Sequence, residues 1–267
     1  MLTRVHHVGL VVRRLEDGLA FWQGTLGLPI AKQATIQDQG VRAALLPIGR
    51  SEIELLEPVD PAGGVAKFLA RRGEGLHHVC FETPDVAAEL ATARGAGLPV
   101  IDETPRPGLA GLICFLHPKG TAGVLVEFAT PPPGEHPDAS PGTGPFAGVA
   151  LREVTARSRD AASAATLFAT RLGLARAAAE TTPGVTAAAV TAGGVCLKFL
   201  SADPGSSSED ASALRHALES AGDGLASLVL EVPDLQAAGR ALHVPPEGDV
   251  QLDAARCHGV PITFLAV

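Results

Sequence analysis

The sequence contains no tyrosine, one tryptophan and nine phenylalanines in 267 residues, so aromatics are only 4% of it. Its core must be built from Val, Leu, Ala and Ile, and an apolar content of 46% with 19% charged residues is enough to fill one. Cysteine is sparse too: Cys80, Cys114, Cys196 and Cys257 lie far apart with no CxxC pair. That spacing excludes a disulfide framework and a structural zinc cluster, and the first three sit in apolar strand-like runs where a thiol acts as a small hydrophobe. No apolar run approaches a membrane span, and the opening "MLTRVHHVGLVV" lacks the apolar centre of a signal peptide. No membrane partner and a cytoplasmic location are therefore expected. Clustered positive charge is missing as well. The net charge is −8, and the densest basic runs are the pairs Arg13-Arg14 and Arg71-Arg72, which excludes nucleic acid as a partner. A small anionic molecule still fits, because a local pocket can oppose the net charge.

What is present is repetition. The stretch "TPPPGEHPDASPGTGP" (Thr130 to Pro145) is dense in Pro, Gly and small polar residues and reads as a linker over 131–145. It separates a lobe at 1–130 from a lobe at 146–267. In the first lobe, "HHVGLVVRRLEDGLAFWQGTLGLPI" reads as strand, turn, amphipathic helix and a glycine exit. The scheme restarts at "HHVCFETPDVAAELATARGAGLPV". Short β-rich runs follow each helix. In the second lobe, "TRLGL" falls on "GTLGL", and "GLASLVLEVPDLQAAGRAL" falls on "GLHHVCFETPDVAAELATA". The chain is thus expected to be α+β, four βαβββ units in two tandem domains. Each domain is an open, cup-shaped mixed sheet with helices outside.

Within the first lobe, "HHV" occurs at the start of both units, 71 residues apart. Side chains alternate along a strand, so one histidine of each pair enters the cup. The apolar alternation favours His7 and His78, with His6 and His77 on the other side. The last strands of the two units, "SEIELLEP" and "GVLVEFAT", each carry a carboxylate inside an apolar run, Glu54 and Glu127. A buried glutamate is costly unless it is paired or bound to metal. Two imidazoles and two carboxylates at equivalent places suit a divalent first-row metal (Co, Mn, Zn, Ni or Fe) with positions left open for substrate. The second lobe has Glu153, Lys198, Ser227 and Thr263 at the equivalent positions, which make no metal site.

These residues resemble the methylmalonyl-CoA epimerase family of the vicinal-oxygen-chelate superfamily over about 4–129. The stretches that carry the likeness are "HHVGLVV", "FWQGTLGL", "DQGVRAALLPIG", "KFLARRGEGLHHVCFE" and "FLHPKGTAGVLVEF". The resemblance implies a metal held by His7, Glu54, His78 and Glu127. It implies an acyl-CoA thioester substrate and an epimerase that removes the α-proton through a stabilised enolate. Glu127 would be one acid/base group, and the other falls on Asp38, where the family has the longer glutamate. The stretch "PRPGLAGLICFLHPK" is shorter and more apolar than in the family, leaving Lys119 as the contact for a phosphate or carboxylate. The second lobe would be a degenerate domain of the same superfamily, making the chain a fused pseudo-dimer that is monomeric or pairs as a homodimer. Two rivals from other classes stand beside this reading. One is a superfamily metalloenzyme (lyase, isomerase or dioxygenase) acting on a molecule without CoA, and the other is a binding protein without turnover. A dioxygenase needs two histidines and one carboxylate, so Glu54 is surplus to it.

Overall fold

The protein is described by a computed structural model covering residues 1–135, 142–245 and 248–267. Residues 136–141 of the expected linker lie outside the described residues. The first unit runs β1 (Arg4–Val11), α1 (Leu15–Leu19), β2 (Lys32–Ile36), β3 (Val41–Ile48) and β4 (Ser51–Pro58). A connecting helix outside the expected βαβββ pattern, α2 (Gly64–Arg72), leads to the second unit. That unit is β5 (Gly75–Glu82), α3 (Val86–Gly95), β6 (Arg106–Gly108), β7 (Gly111–Leu116) and β8 (Leu125–Thr130). The third is β9 (Ala150–Arg157), α4 (Ala161–Arg171), β10 (Ala175–Ala177), β11 (Val185–Ala192) and β12 (Val195–Ala202). Helix α5 (Glu209–Ala221) then joins the fourth, β13 (Gly224–Val232), α6 (Leu235–Ala241), β14 (Val250–Leu252) and β15 (Ile262–Ala266).

The strands form two mixed sheets with the helices outside them, a tandem α+β fold. The first has the order β2-β3-β4-β1-β5-β8-β7-β6 and the second β10-β11-β12-β9-β13-β15-β14. The order in one half of the first sheet is the mirror of the other half, as duplication requires. Its consequence is that the two "HHV" strands, β1 and β5, are hydrogen-bonded neighbours at the sheet centre. The second sheet has one strand fewer among the described residues.

Local chemistry repeats along with the topology. Asp85, Asp160 and Asp234 each cap the following helix by accepting the N–H of Ala88, Ser163 and Ala237 at 3.0, 2.9 and 2.8 Å. The first unit has Arg14 at that position, which cannot accept. There the N–H of Leu15 goes instead to Glu57 Oε2 at 2.8 Å. The core is aliphatic as expected, but its largest fully buried side chains are the few aromatics, Trp22, Phe81, Phe128, Phe146, Phe168, Phe199 and Phe264. A scarce aromatic contributes most where it is wholly removed from water.

By density of internal contacts the chain divides into two compact units. One comprises Met1–Val5, His78–Pro131 and Glu153–Ala226, the other His6–His77, Pro132–Arg152 and Ser227–Val267. Each mixes sequence from both lobes. In the first, Arg171 Nη1 donates to the Ala96 carbonyl at 2.6 Å. In the second, His258 Nδ1 lies 3.4 Å from Glu74 Oε2. Gly259 sits there at φ +80°, and a Cβ on it would fall 1.9 Å from the Glu74 carbonyl oxygen. Gly259→Ala therefore meets both left-handed strain and a backbone clash. We expect it to lose about 2 kcal/mol or more of stability in denaturant titration.

Candidate metal centre

Each "HHV" strand lies beside the strand that carries its glutamate, in the same register. In the parallel ladder β1·β4, Glu54 pairs with Gly9, two residues past His7. In β5·β8, Glu127 pairs with Cys80, two residues past His78. Residues two apart share a face, so each histidine meets its carboxylate across one strand boundary. His7 Nε2 lies 3.5 Å from Glu54 Oε2, and His78 Nε2 lies 3.0 Å from Glu127 Oε2. All four side chains are buried, at 0%, 6%, 1% and 3% exposure in the order His7, Glu54, His78, Glu127. One ligand atom from each falls within 4.8 Å of all the others.

Two carboxylates this deep are expensive to keep ionised without a compensating cation. Neutral imidazoles cannot supply that charge, whereas a divalent ion matches it. The donor set, two nitrogens and two oxygens, suits a first-row divalent metal. The chemistry of these residues therefore fits the ion that the sequence implied, and the buried group can hold one.

The two other histidines of the "HHV" pairs behave differently. His77 packs edge-on against Phe68 of α2, with ring centroids 4.9 Å apart, as expected of a residue on the helix side. His6 does not simply turn away. Its Nδ1 lies 2.9 Å from His7 Nδ1 and 3.5 Å from Glu52 Oε2. Strand alternation sets the direction of Cβ, but the ring nitrogen nearest Cβ can still reach its neighbour. For His7 to ligate through Nε2, its Nδ1 must carry the proton and donate it to His6. With that tautomer the contact would orient the His7 ring.

Asp38 and Lys119 are placed otherwise. Asp38 is exposed in the 3-10 turn Gln37–Gln39 between β2 and β3, and the buried four-residue group does not include it. Lys119 is exposed in the 3-10 turn Pro118–Gly120, whose first N–H bond goes from Lys119 N to His117 Nδ1 at 3.1 Å. Cys114 pairs with Phe128 and so faces away from Glu127, and burial, with the Asp102 and Glu127 carboxylates adding to it, pushes its thiol up to about 12. It is a packing residue, not a thiolate ligand.

The second lobe supplies an internal control. Glu153 pairs with Cys196 and Thr155 with Lys198, reproducing the His7·Glu52 and Gly9·Glu54 registers. Thr263 pairs with Val229 as Glu127 pairs with Cys80, which puts Ser227 at the place of His78. Where the first lobe has an imidazole and a carboxylate, Lys198 Nζ meets Glu153 Oε1 at 2.8 Å. The fixed cation of an ammonium takes the carboxylate's charge, so no ion is needed.

A family model described as "Glyoxalase/Bleomycin resistance protein/Dioxygenase superfamily" matches residues 6–115. The ethylmalonyl-CoA/methylmalonyl-CoA epimerase of Cereibacter sphaeroides is 34% identical over 131 residues, covering 48% of this chain and 98% of that protein. The mitochondrial methylmalonyl-CoA epimerase of Homo sapiens is 31% identical over 129 residues, covering 48% of this chain and 73% of that protein. These relatives thus account for about half of the chain. A mutant of 4-hydroxymandelate synthase from Streptomyces coelicolor superposes over 95% of this chain and 78% of its own, with a TM-score of 0.69 and 18% identity. That likeness extends the shared fold to the second lobe.

Proposed function

The chain belongs to the glyoxalase/bleomycin resistance protein/dioxygenase superfamily, and we propose that it is an isomerase that epimerises the carbon α to a thioester carbonyl. The substrate of this reading is methylmalonyl-CoA or a closely related 2-carboxyacyl-CoA. The observation that carries it is the buried group of His7, Glu54, His78 and Glu127, with ligand atoms within 4.8 Å of one another. The epimerase relatives support it, since they match this chain at 31–34% identity. In this reading residues 1–130 form the metal-binding lobe. Residues 146–267 stand in for the second subunit of a one-lobe relative.

A divalent ion held by the four residues would supply Lewis acidity, which stabilises negative charge growing on a carbonyl oxygen. His7 and His78 would hold it as neutral ligands, and Glu54 and Glu127 would balance its charge. Glu127 is also the base of this reading: a carboxylate oxygen takes the α-proton, and the C–H electron pair moves into the carbonyl to give an enolate. Burial at 3% exposure keeps bulk water from competing for that proton. Epimerisation then needs a proton delivered to the opposite face of the planar enolate. Asp38 is the group proposed for this, and its turn must bring the carboxyl within about 3 Å of the substrate carbon.

The test is α-proton exchange of methylmalonyl-CoA in heavy water by the metal-loaded protein. Exchange is expected with the wild type and with Asp38→Asn, while inversion slows at least about 10-fold in Asp38→Asn. Metal-loaded protein that exchanges no α-proton would overturn the isomerase reading.

A further inference from the structure

The short, apolar stretch "PRPGLAGLICFLHPK" carries a half-buried cation on the metal-binding face. Arg106, on β6, pairs with Ile113 of β7, and Phe115 of β7 pairs with Glu127 of β8. Residues opposite each other in a ladder share a face, as do residues two apart in a strand. Arg106, Ile113, Phe115, Glu127 and His78 therefore lie on one face of the sheet. Ring contacts agree with the register. The Arg106 guanidinium carbon sits 5.6 Å from the Phe115 ring centroid, and Phe115 meets His78 edge-on at 5.4 Å.

The guanidinium is held in place from behind. Its Nε donates to Asp102 Oδ1 at 2.9 Å, while Asp102 Oδ2 accepts the Phe115 N–H at 2.8 Å. One carboxylate thus ties the arginine to the strand beneath it. Arg106 Nη1, however, is buried without a hydrogen-bond partner. Nearby, Cys80, Ala110, Ile113 and Ala129 form an apolar cluster with Phe115 packed against it, and none of their side chains offers an oxygen acceptor. A buried charged donor without an acceptor is costly to keep, and a ligand oxygen would remove that cost.

We propose that Arg106 is a substrate-binding residue whose Nη1 donates to an oxygen acceptor of the acyl-CoA, on its thioester arm. This rests on the acyl-CoA reading above. In that reading the thioester carbonyl is the oxygen that the metal would polarise, so the next acceptors along the arm are its amide carbonyls. A phenyl ring separates Arg106 from His78, which suits an acceptor displaced from the metal rather than one bound to it.

Arg106→Lys separates this role from a structural one. A lysine keeps the charge and the pair with Asp102 but has no second arm of the fork left to donate. Calorimetric titration of the metal-loaded protein with methylmalonyl-CoA and with propionyl-CoA, which lacks the free carboxylate, reads the effect. The lysine variant should bind both about 10- to 100-fold more weakly, with metal content and melting temperature unchanged. If it unfolds, Arg106→Ala titrated with and without methylguanidinium takes its place, and the added cation should restore binding. Equal affinity of variant and wild type, or no rescue, overturns the assignment. A loss seen with methylmalonyl-CoA alone moves the acceptor to the free carboxylate and overturns the thioester-arm placement. Wild-type binding of either thioester without α-proton exchange overturns the isomerase reading and leaves Arg106 standing. Failure of the wild type to bind both overturns the two together.

Discussion

Replacing His78 with alanine is expected to abolish tight metal binding and to slow α-proton exchange by about 10³-fold or more, the scale of losing an electrostatic stabiliser of the developing oxyanion. His78 is 1% exposed and its Nε2 lies 3.0 Å from Glu127 Oε2, so the same substitution strips the base of its neighbour. Metal analysis after gel filtration and the exchange rate at saturating methylmalonyl-CoA read the two effects separately. His77→Ala is the matched control. Its ring packs on Phe68, so it should keep both metal and activity, at a modest cost in stability. Equal loss in the two variants would mean that the "HHV" pair matters for packing alone.

The second large effect is on stability. A chelator that removes the ion leaves the Glu54 and Glu127 carboxylates buried together, with ligand atoms within 4.8 Å and no cation between them. A ligand present at about 1,000 times its dissociation constant stabilises the native state by about 4 kcal/mol. For a chain of this size that corresponds to roughly 8 °C or more in Tm. Scanning calorimetry with and without EDTA should show that fall, and adding back Mn²⁺ or Co²⁺ should reverse it. Lys198→Ala should not change the size of the shift, because the Lys198–Glu153 pair belongs to the lobe that needs no ion. A chelator shift that depends on Lys198 would put the ion in the wrong lobe.

The grouping of His7, Glu54, His78 and Glu127 was legible in the sequence because duplication writes the same pattern twice. One histidine in strand could be packing, but an equivalent histidine and an equivalent buried glutamate in each copy constrain one another. The structure brings His7, Glu54, His78 and Glu127 together for that reason. Arg106 was illegible on different grounds. "RPG" looks like turn composition, and the significance of the arginine depends on its cross-strand register with Ile113 and the stacking of Phe115, neither visible along the chain. His6 escaped because alternation describes Cβ directions and not where a ring nitrogen finishes. Helix α2 escaped because "GGVAKFLARRGEG" is short, opens on glycines and buries no residue. The four repeats were visible, whereas the contact-dense units, each drawn from both lobes, arise from packing between segments far apart in sequence.

The proposed site holds one divalent ion per chain, between two histidines and two glutamates of the first lobe. Anomalous diffraction from crystals grown with Mn²⁺ or Co²⁺ tests it most directly. One peak per chain is expected, about 2.0–2.2 Å from His7 Nε2, His78 Nε2 and one oxygen each of Glu54 and Glu127. A peak beside Lys198 and Glu153, or no peak from metal-loaded protein at the four residues, would contradict it.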